Sequence, residues 1–271
     1  MLSYIGGKSL IGKWIKDYIP TDIETFVECF GGMYWVFFSM DIDKYTNLKN
    51  VVYNDFNPLN ANIFNCVRSY KEFYEIIKEI PSQKSDLFYQ YQSEIFHPNF
   101  KVDLSKPDYE TGYKYAYIIS QVWSGTNPQK SKFIDLKGKY KSKFDTFKDK
   151  LKSLKWQEFF DKINCVENMD FQDVIKKYDS KSTYFYCDPP YYTTEKYYAN
   201  HDFGLETHNR LADCLKSIDG KFSLSYYDFP QLSEWFPREK YKWIKREFSK
   251  AAMAKSGKSQ TKATEILIMN Y

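Results

Sequence analysis

Short apolar runs alternate with amphipathic stretches along most of the 271-residue chain. Runs rich in β-branched and aromatic residues predict buried strands, and apolar residues at helical spacing predict helices between them. The predicted strands are residues 25–30, 51–55, 163–167, 183–187, 222–226, 244–248 and 265–270. The predicted helices are residues 10–19, 33–40, 63–80, 147–162 and 172–178. This alternation predicts an α/β fold with a mostly parallel seven-stranded sheet and helices on both faces.

The alternation stops between residues 82 and 145, where the sequence is polar, aromatic and rich in lysine. A break of this length inside a regular pattern is typical of an inserted segment. We therefore predict one α/β domain formed by residues 1–81 and 146–271, with residues 82–145 inserted into it as a subdomain.

Composition and charge change this picture only locally. The aromatic share is 20%, mostly 25 Tyr and 22 Phe, which suits contacts with bases and sugars; an AT-rich coding sequence produces the same bias. The net charge of +4 predicts no global attraction to nucleic acid. However, residues 130–155 hold ten lysines against three aspartates, and residues 240–262 hold eight basic residues against one glutamate. Such runs form either a solvated face or a groove that follows phosphates.

Cysteine usage and hydropathy indicate the compartment. The five cysteines show no CxxC pair and no regular spacing, so we expect free thiols, no disulfide framework and no metal site. No signal-peptide core follows Met1, and no apolar run approaches the ~18 residues that a membrane helix needs. We therefore expect a cytoplasmic protein with no membrane partner.

The most informative motif begins at Asp188, which follows the predicted strand 183–187 and precedes Pro189, Pro190 and Tyr191. The prolines end the strand in a rigid turn, and ligands of open α/β sheets bind at the carboxyl ends of strands. The Asp188 carboxylate and the Pro189 carbonyl can each accept a hydrogen bond from an exocyclic amino group, while Tyr191 stacks on the ring that carries it. An ordinary surface turn is the alternative.

A second candidate element is the glycine turn at residues 28–32, which is followed by Asp55 at the end of the next predicted strand. A tight turn lets the backbone approach a small ligand, and the acid can bind ribose hydroxyls. GxGxxG is absent, so a nucleoside without phosphates, held by apolar walls such as Phe30 and Phe56, fits better than a dinucleotide. A purely structural glycine turn is the alternative.

Two shorter segments offer further ligand contacts. Residues 4–8, with the sequence Tyr-Ile-Gly-Gly-Lys, can aim backbone N–H groups and an ammonium at a carboxylate. After the predicted strand 163–167, Asp170 can accept from an adenine amino group and Phe171 can stack on the ring. Asp170 is as readily the N-cap of the predicted helix at 172–178.

In this order, the four segments resemble the Dam-type DNA adenine-N6 methyltransferases. The resemblance runs from Tyr4 to Asn270 and includes the closing segment 264–271, Thr-Glu-Ile-Leu-Ile-Met-Asn-Tyr. It implies a Rossmann-like fold that binds S-adenosylmethionine (AdoMet), with residues 82–145 as the target-recognition insertion. The residues that would line the AdoMet pocket are Tyr4, Gly6, Gly7, Lys8, Phe30, Gly32, Asp55, Asp170 and Phe171. The catalytic residues would be Asp188, Pro189, Pro190 and Tyr191.

The chain departs from the family pattern in the glycine turn. Family members commonly have a proline where Cys29 stands and small residues where Met33 and Tyr34 stand. The insertion also lacks the arginine-rich pattern often found there.

The resemblance implies a site-specific enzyme that transfers a methyl group from AdoMet to the N6 amino group of adenine in double-stranded DNA. Transfer would be direct and in line, on a base flipped out of the duplex. RNA adenine methylation and a catalytically silent nucleic-acid-binding protein that kept the fold are the alternatives, while Asp rather than Ser at position 188 argues against a cytosine acceptor. A restriction endonuclease is a further candidate partner. The residues that we expect on DNA phosphates are Lys137, Lys139, Lys141 and Lys143.

Overall fold

One sheet organises the computed structural model, which describes residues 2, 11–122, 127–136, 138, 140–192, 203–249 and 262–271. Within them the strands are β1 Thr25–Glu28, β2 Asn50–Asn54, β3 Cys165–Glu167, β4 Thr183–Cys187, β5 Lys221–Tyr226, β6 Lys242–Ser249 and β7 Lys262–Met269. The helices are α1 Gly12–Ile15, α2 Pro58–Arg68, α3 Tyr70–Ile77, α4 Ser85–Ile95, α5 Tyr109–Ser120, α6 Lys143–Lys152, α7 Leu154–Lys162, α8 Phe171–Tyr178, α9 Leu205–Ser217 and α10 Pro230–Trp235. Of these described helices, none is both long and apolar enough to cross a bilayer.

The seven strands lie in the order β3-β2-β1-β4-β5-β7-β6. Strands β3 to β5 in this order pair in parallel, and β7 pairs antiparallel with both β5 and β6. The predicted mostly parallel sheet is confirmed. The chain builds outward from β1 to β3 and then returns to place β4 on the other side of β1. Ligands of such sheets bind at the point where the strand order reverses, which here lies between β1 and β4.

Buried side chains cover both faces of the sheet, because successive residues of a strand point to opposite sides. Phe26 and Tyr184 belong to a core cluster on one face, which also contains residues of α2 to α7. Val27 and Phe185, their neighbours in β1 and β4, belong to the cluster on the other face, with residues of α8 to α10. The predicted placement of helices on both faces is therefore confirmed.

Residues 82–145 include α4 and α5, and these helices share the core of the first face. Phe88 and Tyr115 are buried in the same cluster as Phe26. Asn62 of α2 donates to the Asp108 carbonyl at 2.8 Å and accepts from the Asp108 amide at 3.0 Å, which fixes the start of α5. The division of the chain into a catalytic domain and an inserted subdomain stays a prediction.

Three predicted helices end differently in the structure. The predicted helix 63–80 begins earlier, at Pro58, where the Asn57 side chain caps the Leu59 amide at 3.0 Å, and it breaks at Ser69 into α2 and α3. The predicted helix 147–162 is likewise two helices, α6 and α7, which meet at Ser153. Within the described residues, the predicted helix 10–19 is the short α1 followed by a 3₁₀ turn. The hydrophobic period continues across Ser69 and Ser153, so the pattern does not reveal the two breaks.

The predicted helix 33–40 was wrong. Only a 3₁₀ turn at Phe37–Ser39 forms there, and Tyr34 has a φ of 58°. This left-handed conformation costs a residue with a Cβ roughly 1–2 kcal/mol. Burial of the Tyr34 ring offsets the cost, since the ring is fully buried and lies 4.6 Å from Phe37 and 5.1 Å from Tyr53 between centroids.

Glu28, at the end of β1, holds this irregular segment in place. Its Oε1 accepts a hydrogen bond from the Phe37 amide at 2.7 Å, and the side chain is only 2% exposed. Burial raises the pKa of Glu28 well above its ordinary value, and the negative charge of Asp188 raises it further. Burial and the Asp188 charge therefore favour the protonated, neutral form of the Glu28 carboxyl.

We expect Tyr34→Phe to raise the free energy of unfolding, because it removes a buried hydroxyl that has no hydrogen-bond partner among the described residues. An unsatisfied buried polar group typically costs about 1–3 kcal/mol. The matched control is Tyr53→Phe, which removes a hydroxyl that donates to the Gly32 carbonyl at 2.9 Å. The control should lower the free energy of unfolding by about 1 kcal/mol. Urea unfolding measures both, and a Tyr34→Phe variant less stable than wild type would contradict the prediction.

We expect Glu28→Gln to flatten the pH dependence of stability. Because burial raises the pKa of the folded carboxyl, it keeps its proton to a higher pH than the unfolded one, which ionises above about pH 4.3. Stability from this group is therefore full below that pH and falls by about 1.4 kcal/mol per unit as the pH rises towards the folded pKa. Glu28→Gln keeps an oxygen for the Phe37 amide but does not titrate.

Urea unfolding at about pH 5 and about pH 8 tests this linkage. The variant should gain stability relative to wild type at the higher pH. The exposed Glu79→Gln is the control and should follow wild type at both. An unchanged pH dependence in Glu28→Gln would show that Glu28 is ionised in the folded protein.

Candidate active site

Four candidate segments leave the sheet at one edge. The glycine turn follows β1, Asp55 follows β2, residues 168–171 follow β3 and Asp188 follows β4. These strands are neighbours and run in parallel. The topology therefore places the four segments at the same edge of the sheet, and their sharing of one ligand site stays a prediction. The predicted segment with Tyr4, Gly6, Gly7 and Lys8 lies outside the described residues.

The glycine turn is held by three hydrogen bonds to the end of β2. The Gly31 amide donates to the Asn54 carbonyl at 2.7 Å, the Gly32 amide donates to Asp55 Oδ2 at 2.7 Å, and Tyr53 donates to the Gly32 carbonyl at 2.9 Å. A Cβ on Gly31 would lie 2.4 Å from the Tyr53 ring, so only glycine fits there. Gly32 has a φ of 48°, which glycine adopts without strain.

The departures from the family pattern face the core. Cys29, Met33 and Tyr34 are at most 2% exposed, and none of them interrupts the contact between Gly32 and Asp55. The bulky residues therefore fill the space beneath the turn and leave its hydrogen bonds intact.

Asp55 accepts hydrogen bonds on both carboxylate oxygens. Beside the bond from Gly32, Oδ1 accepts from the Asn57 amide at 2.8 Å, and Asp55 is 7% exposed. The carboxylate thus links the end of β1 to the start of α2. Its contact with ribose hydroxyls stays a prediction.

Asn54 and Asn168 connect the strand ends, a role that the sequence did not indicate. Asn54 Nδ2 donates to the Cys29 carbonyl at 2.9 Å, and its Oδ1 accepts from the Met169 amide at 3.0 Å. Asn168 Nδ2 donates to the Asp55 carbonyl at 2.7 Å. These side-chain amides replace the backbone pairing that ends with each strand, so the loops after β1, β2 and β3 are held together.

An aromatic wall borders this part of the edge. The rings of Phe30 and Phe171 lie 5.6 Å apart, and Phe203 lies within about 6 Å of both. Sequence analysis missed Phe203, whose only signal was an isolated aromatic residue before α9. Beyond Asp55, Phe56 is 52% exposed and offers an open apolar face beside the carboxylate.

Asp170 caps α8, as its alternative interpretation predicted. Its Oδ1 accepts from the Gln172 amide at 2.9 Å, and its Oδ2 accepts from Arg210 at 2.8 Å. The Arg210 guanidinium also lies over the Phe171 ring, 4.7 Å from its centroid. Both carboxylate oxygens of Asp170 accept hydrogen bonds within the protein. Its contact with adenine stays a prediction, and adenine would have to share the carboxylate with Gln172 and Arg210.

Asp188 is half-buried at the end of β4, and Pro189 and Pro190 are buried after it. Tyr191 is 8% exposed, and its hydroxyl donates to Oε1 of Glu265 on β7. Burial, with the negative charges of Asp188 and Glu265, raises the pKa of Tyr191 well above that of a free tyrosine. Tyr191 is therefore a neutral phenol, and most of its ring is covered by protein.

The predicted phosphate contacts are only partly described. Lys141 and Lys143 are exposed at the start of α6, and Lys141 is paired with Asp149. Lys137 and Lys139 lie outside the described residues. Among the residues that the structure describes, no three metal-ligating side chains are grouped closely enough to hold an ion.

Comparisons with known proteins identify the family of the chain. Residues 4–250 match the model of the D12 class N6 adenine-specific DNA methyltransferases. The chain is 27% identical to the type II methyltransferase M1.LlaDCHI of Lactococcus lactis subsp. cremoris, over 99% of this chain and 94% of that protein. It is 24% identical to the type II methyltransferase M.CviBI of Paramecium bursaria Chlorella virus NC1A, over 82% and 80% of the two chains. A DNA adenine methylase of Haemophilus influenzae is 26% identical, over 83% and 76%.

The family match spans nearly the whole chain, including the glycine turn, Asp55 and the Asp188 turn whose geometry is given above. The chain therefore belongs to the D12 class N6 adenine-specific DNA methyltransferases, and it is a site-specific enzyme that methylates adenine in DNA.

Proposed function

We propose that the chain binds AdoMet and the target adenine side by side at the carboxyl edge of β1 and β4. One observation carries the proposal: β1 and β4 are parallel neighbours, and the Cys29 amide donates to the Tyr186 carbonyl at 3.0 Å. The glycine turn and the Asp188 turn therefore leave the sheet next to each other. Two reactants held in adjacent subsites can be aligned for direct transfer, with no covalent intermediate on the enzyme.

The donor subsite fits a nucleoside without phosphates. Gly31 and Gly32 bring the backbone close, Asp55 offers a carboxylate for hydroxyl groups, and Phe30 and Phe56 offer apolar faces for a purine ring. AdoMet, when bound, supplies a methyl group activated by the attached sulfonium. The residues that would hold it are Tyr4, Gly6, Gly7, Lys8, Phe30, Gly32, Asp55, Asp170 and Phe171.

The acceptor subsite is the Asp188 turn. The N6 lone pair of adenine is delocalised into the ring, which makes the amine a poor nucleophile. Hydrogen bonds from the amine to the Asp188 carboxylate and the Pro189 carbonyl would favour a pyramidal nitrogen and stabilise its developing positive charge. The base must leave the stack to reach this turn, and Tyr191 would border it there.

Residues 82–145 would supply target recognition on double-stranded DNA. The support is an exposed aromatic residue, Tyr140, at 76% exposure, beside the exposed Lys141 and Lys143. An exposed ring flanked by cations suits contact with bases and phosphates. The proposed phosphate contacts are Lys137, Lys139, Lys141 and Lys143.

The cellular context is also a proposal. Buried free thiols such as Cys29 and Cys187 suit a reducing cytoplasm. Two of the relatives are named type II methyltransferases, and on that ground a restriction endonuclease that cuts the unmodified site is the proposed partner. Sequencing of methylated bases in host DNA after expression would identify the site, and an absence of N6-methyladenine would contradict the proposed acceptor.

Substitutions in the two subsites should separate binding from turnover. Asp188→Ala should lower kcat by ~10²–10³ or more while AdoMet binding stays measurable, because the variant lacks an acceptor that acts in the transition state.

Asp55→Ala should weaken the binding free energy of AdoMet by about 1.5–3 kcal/mol, the value of a hydrogen bond to a charged group. Calorimetry and single-turnover kinetics measure the two effects, with urea unfolding to confirm that both variants fold. A kcat only a few-fold lower in Asp188→Ala would overturn its role.

Neutralising Lys137, Lys139, Lys141 and Lys143 to Gln should weaken binding to cognate and random duplexes alike. For each lysine that binds a phosphate, its removal should reduce the slope of log K against log salt by ~0.9, because fewer counterions are released on binding. Titrations of both duplexes at several salt concentrations measure the slope.

The matched control removes four exposed lysines before the amino ends of β2, β4 and β5, at the opposite edge of the sheet. Its members are Lys44→Gln, Lys49→Gln, Lys181→Gln and Lys216→Gln. It has the same net charge and should keep the wild-type slope. Equal slopes in the two quadruple variants would place the DNA groove elsewhere.

A further inference from the structure

Glu265 is a buried acid that the proposed chemistry does not use. It lies on β7 and is 4% exposed, and its Oε1 accepts a hydrogen bond from the Tyr191 hydroxyl. A carboxylate removed from water loses solvation that only specific hydrogen bonds can replace. Such a residue needs a role, and its partner is the last residue of the Asp188 turn.

The contact crosses the sheet. Tyr191 follows β4, whereas Glu265 lies on β7, with β5 between them. Tyr191 therefore spans the end of β5, where its ring lies 5.7 Å from Tyr226 and 4.4 Å from Tyr227 between centroids. Two ring contacts and one hydrogen bond together define both the position and the rotation of the ring.

The backbone between Tyr191 and Asp188 links the position of the Tyr191 ring to the orientation of Asp188. Only Pro189 and Pro190 separate Asp188 from Tyr191, and each proline fixes its own φ. A turn with so few free torsions moves as one body. When the Tyr191 ring is anchored at one end, the Asp188 carboxylate and the Pro189 carbonyl are therefore oriented at the other.

The protonation state of Tyr191 determines which residue donates this hydrogen bond. Burial and the nearby acids raise the pKa of Tyr191, so the phenol keeps its proton. Tyr191 is then the donor and Glu265 the acceptor. Arg246 stands opposite Glu265 in the register of β6 and β7, which places a cation on the neighbouring strand.

We propose that Glu265 is a positioning residue that holds Tyr191 and thereby sets the geometry of the acceptor turn. The inference rests on the proposed role of the Asp188 turn as the site of the adenine amine. Glu265 acts through Tyr191 and contacts neither reactant. β7 thus contributes to the acceptor subsite from two strands away.

The test is a double-mutant cycle of Tyr191→Phe and Glu265→Ala, with Glu265→Gln as the conservative variant. Either single change should lower kcat about 10-fold to 100-fold. The kcat of the double variant should be no lower than that of the slower single variant, because all three variants lack the same hydrogen bond. AdoMet affinity should change less than about 2-fold, because the donor subsite is separate. Glu265→Gln should restore most of kcat, because its amide oxygen still accepts from the Tyr191 hydroxyl.

A second tyrosine–glutamate pair provides the control for a merely structural effect. Tyr178 donates to Glu167 Oε1 at 2.5 Å, on the far side of the sheet from β7. Tyr178→Phe and Glu167→Gln remove the same kind of contact and should leave kcat within about 3-fold of wild type.

The outcomes separate this inference from the proposed function. If Asp188→Ala is inactive and the effects of Tyr191→Phe and Glu265→Ala simply multiply, Glu265 does not act through Tyr191 and the inference fails alone. A wild-type kcat in Tyr191→Phe would likewise contradict the inference and leave the proposed function intact. If Asp188→Ala stays active, the proposed acceptor turn itself is wrong, and the inference fails with it.

Discussion

The Asp55 carboxylate is the contact on which the edge of the sheet depends. It accepts one hydrogen bond from the glycine turn after β1 and one from the backbone just before α2, and its low exposure shields both from water. Charge-assisted bonds of this kind are stronger than neutral ones. One residue earlier, Asn54 connects the same turn to the loop after β3. These two neighbouring side chains place the glycine turn and the loops around it, and the aromatic wall follows from that placement.

The two halves of the site differ in their electrostatics. The proposed donor half combines backbone amides, one carboxylate and aromatic faces. The proposed acceptor half contains Glu28 at the end of β1, Asp188 after β4 and Glu265 within β7. Burial favours the neutral form of Glu28, which limits the negative charge beside Asp188. Tyr191 stays a neutral donor to Glu265 for the same reason. In the proposed reaction, the Asp188 carboxylate would stabilise the positive charge that develops on the amine.

Local pattern predicts the strands well and the helix ends poorly. The strands predicted at 183–187 and 222–226 match β4 and β5 closely, because a buried strand is a short continuous apolar run. The pattern misses the breaks at Ser69 and Ser153, since the hydrophobic period continues across both. The apolar composition of segment 33–40 favours a helix. Its shape is decided instead by the fit of the Tyr34 ring among Phe37 and Tyr53 and by the Glu28 bond to the Phe37 amide.

By itself, the sequence determined the parallel α/β fold, the family, and the groups that stand at the strand ends. Each of these is encoded locally, in a run of apolar residues or in a short motif such as the Asp188 turn. Tertiary structure alone decided which side chains support those groups. Asp170 is engaged by Arg210, forty residues away in the chain, and Tyr191 by Glu265, seventy-four residues away. Such pairs meet only because the order of strands and helices brings distant segments to one edge, and no local pattern in the chain records that order.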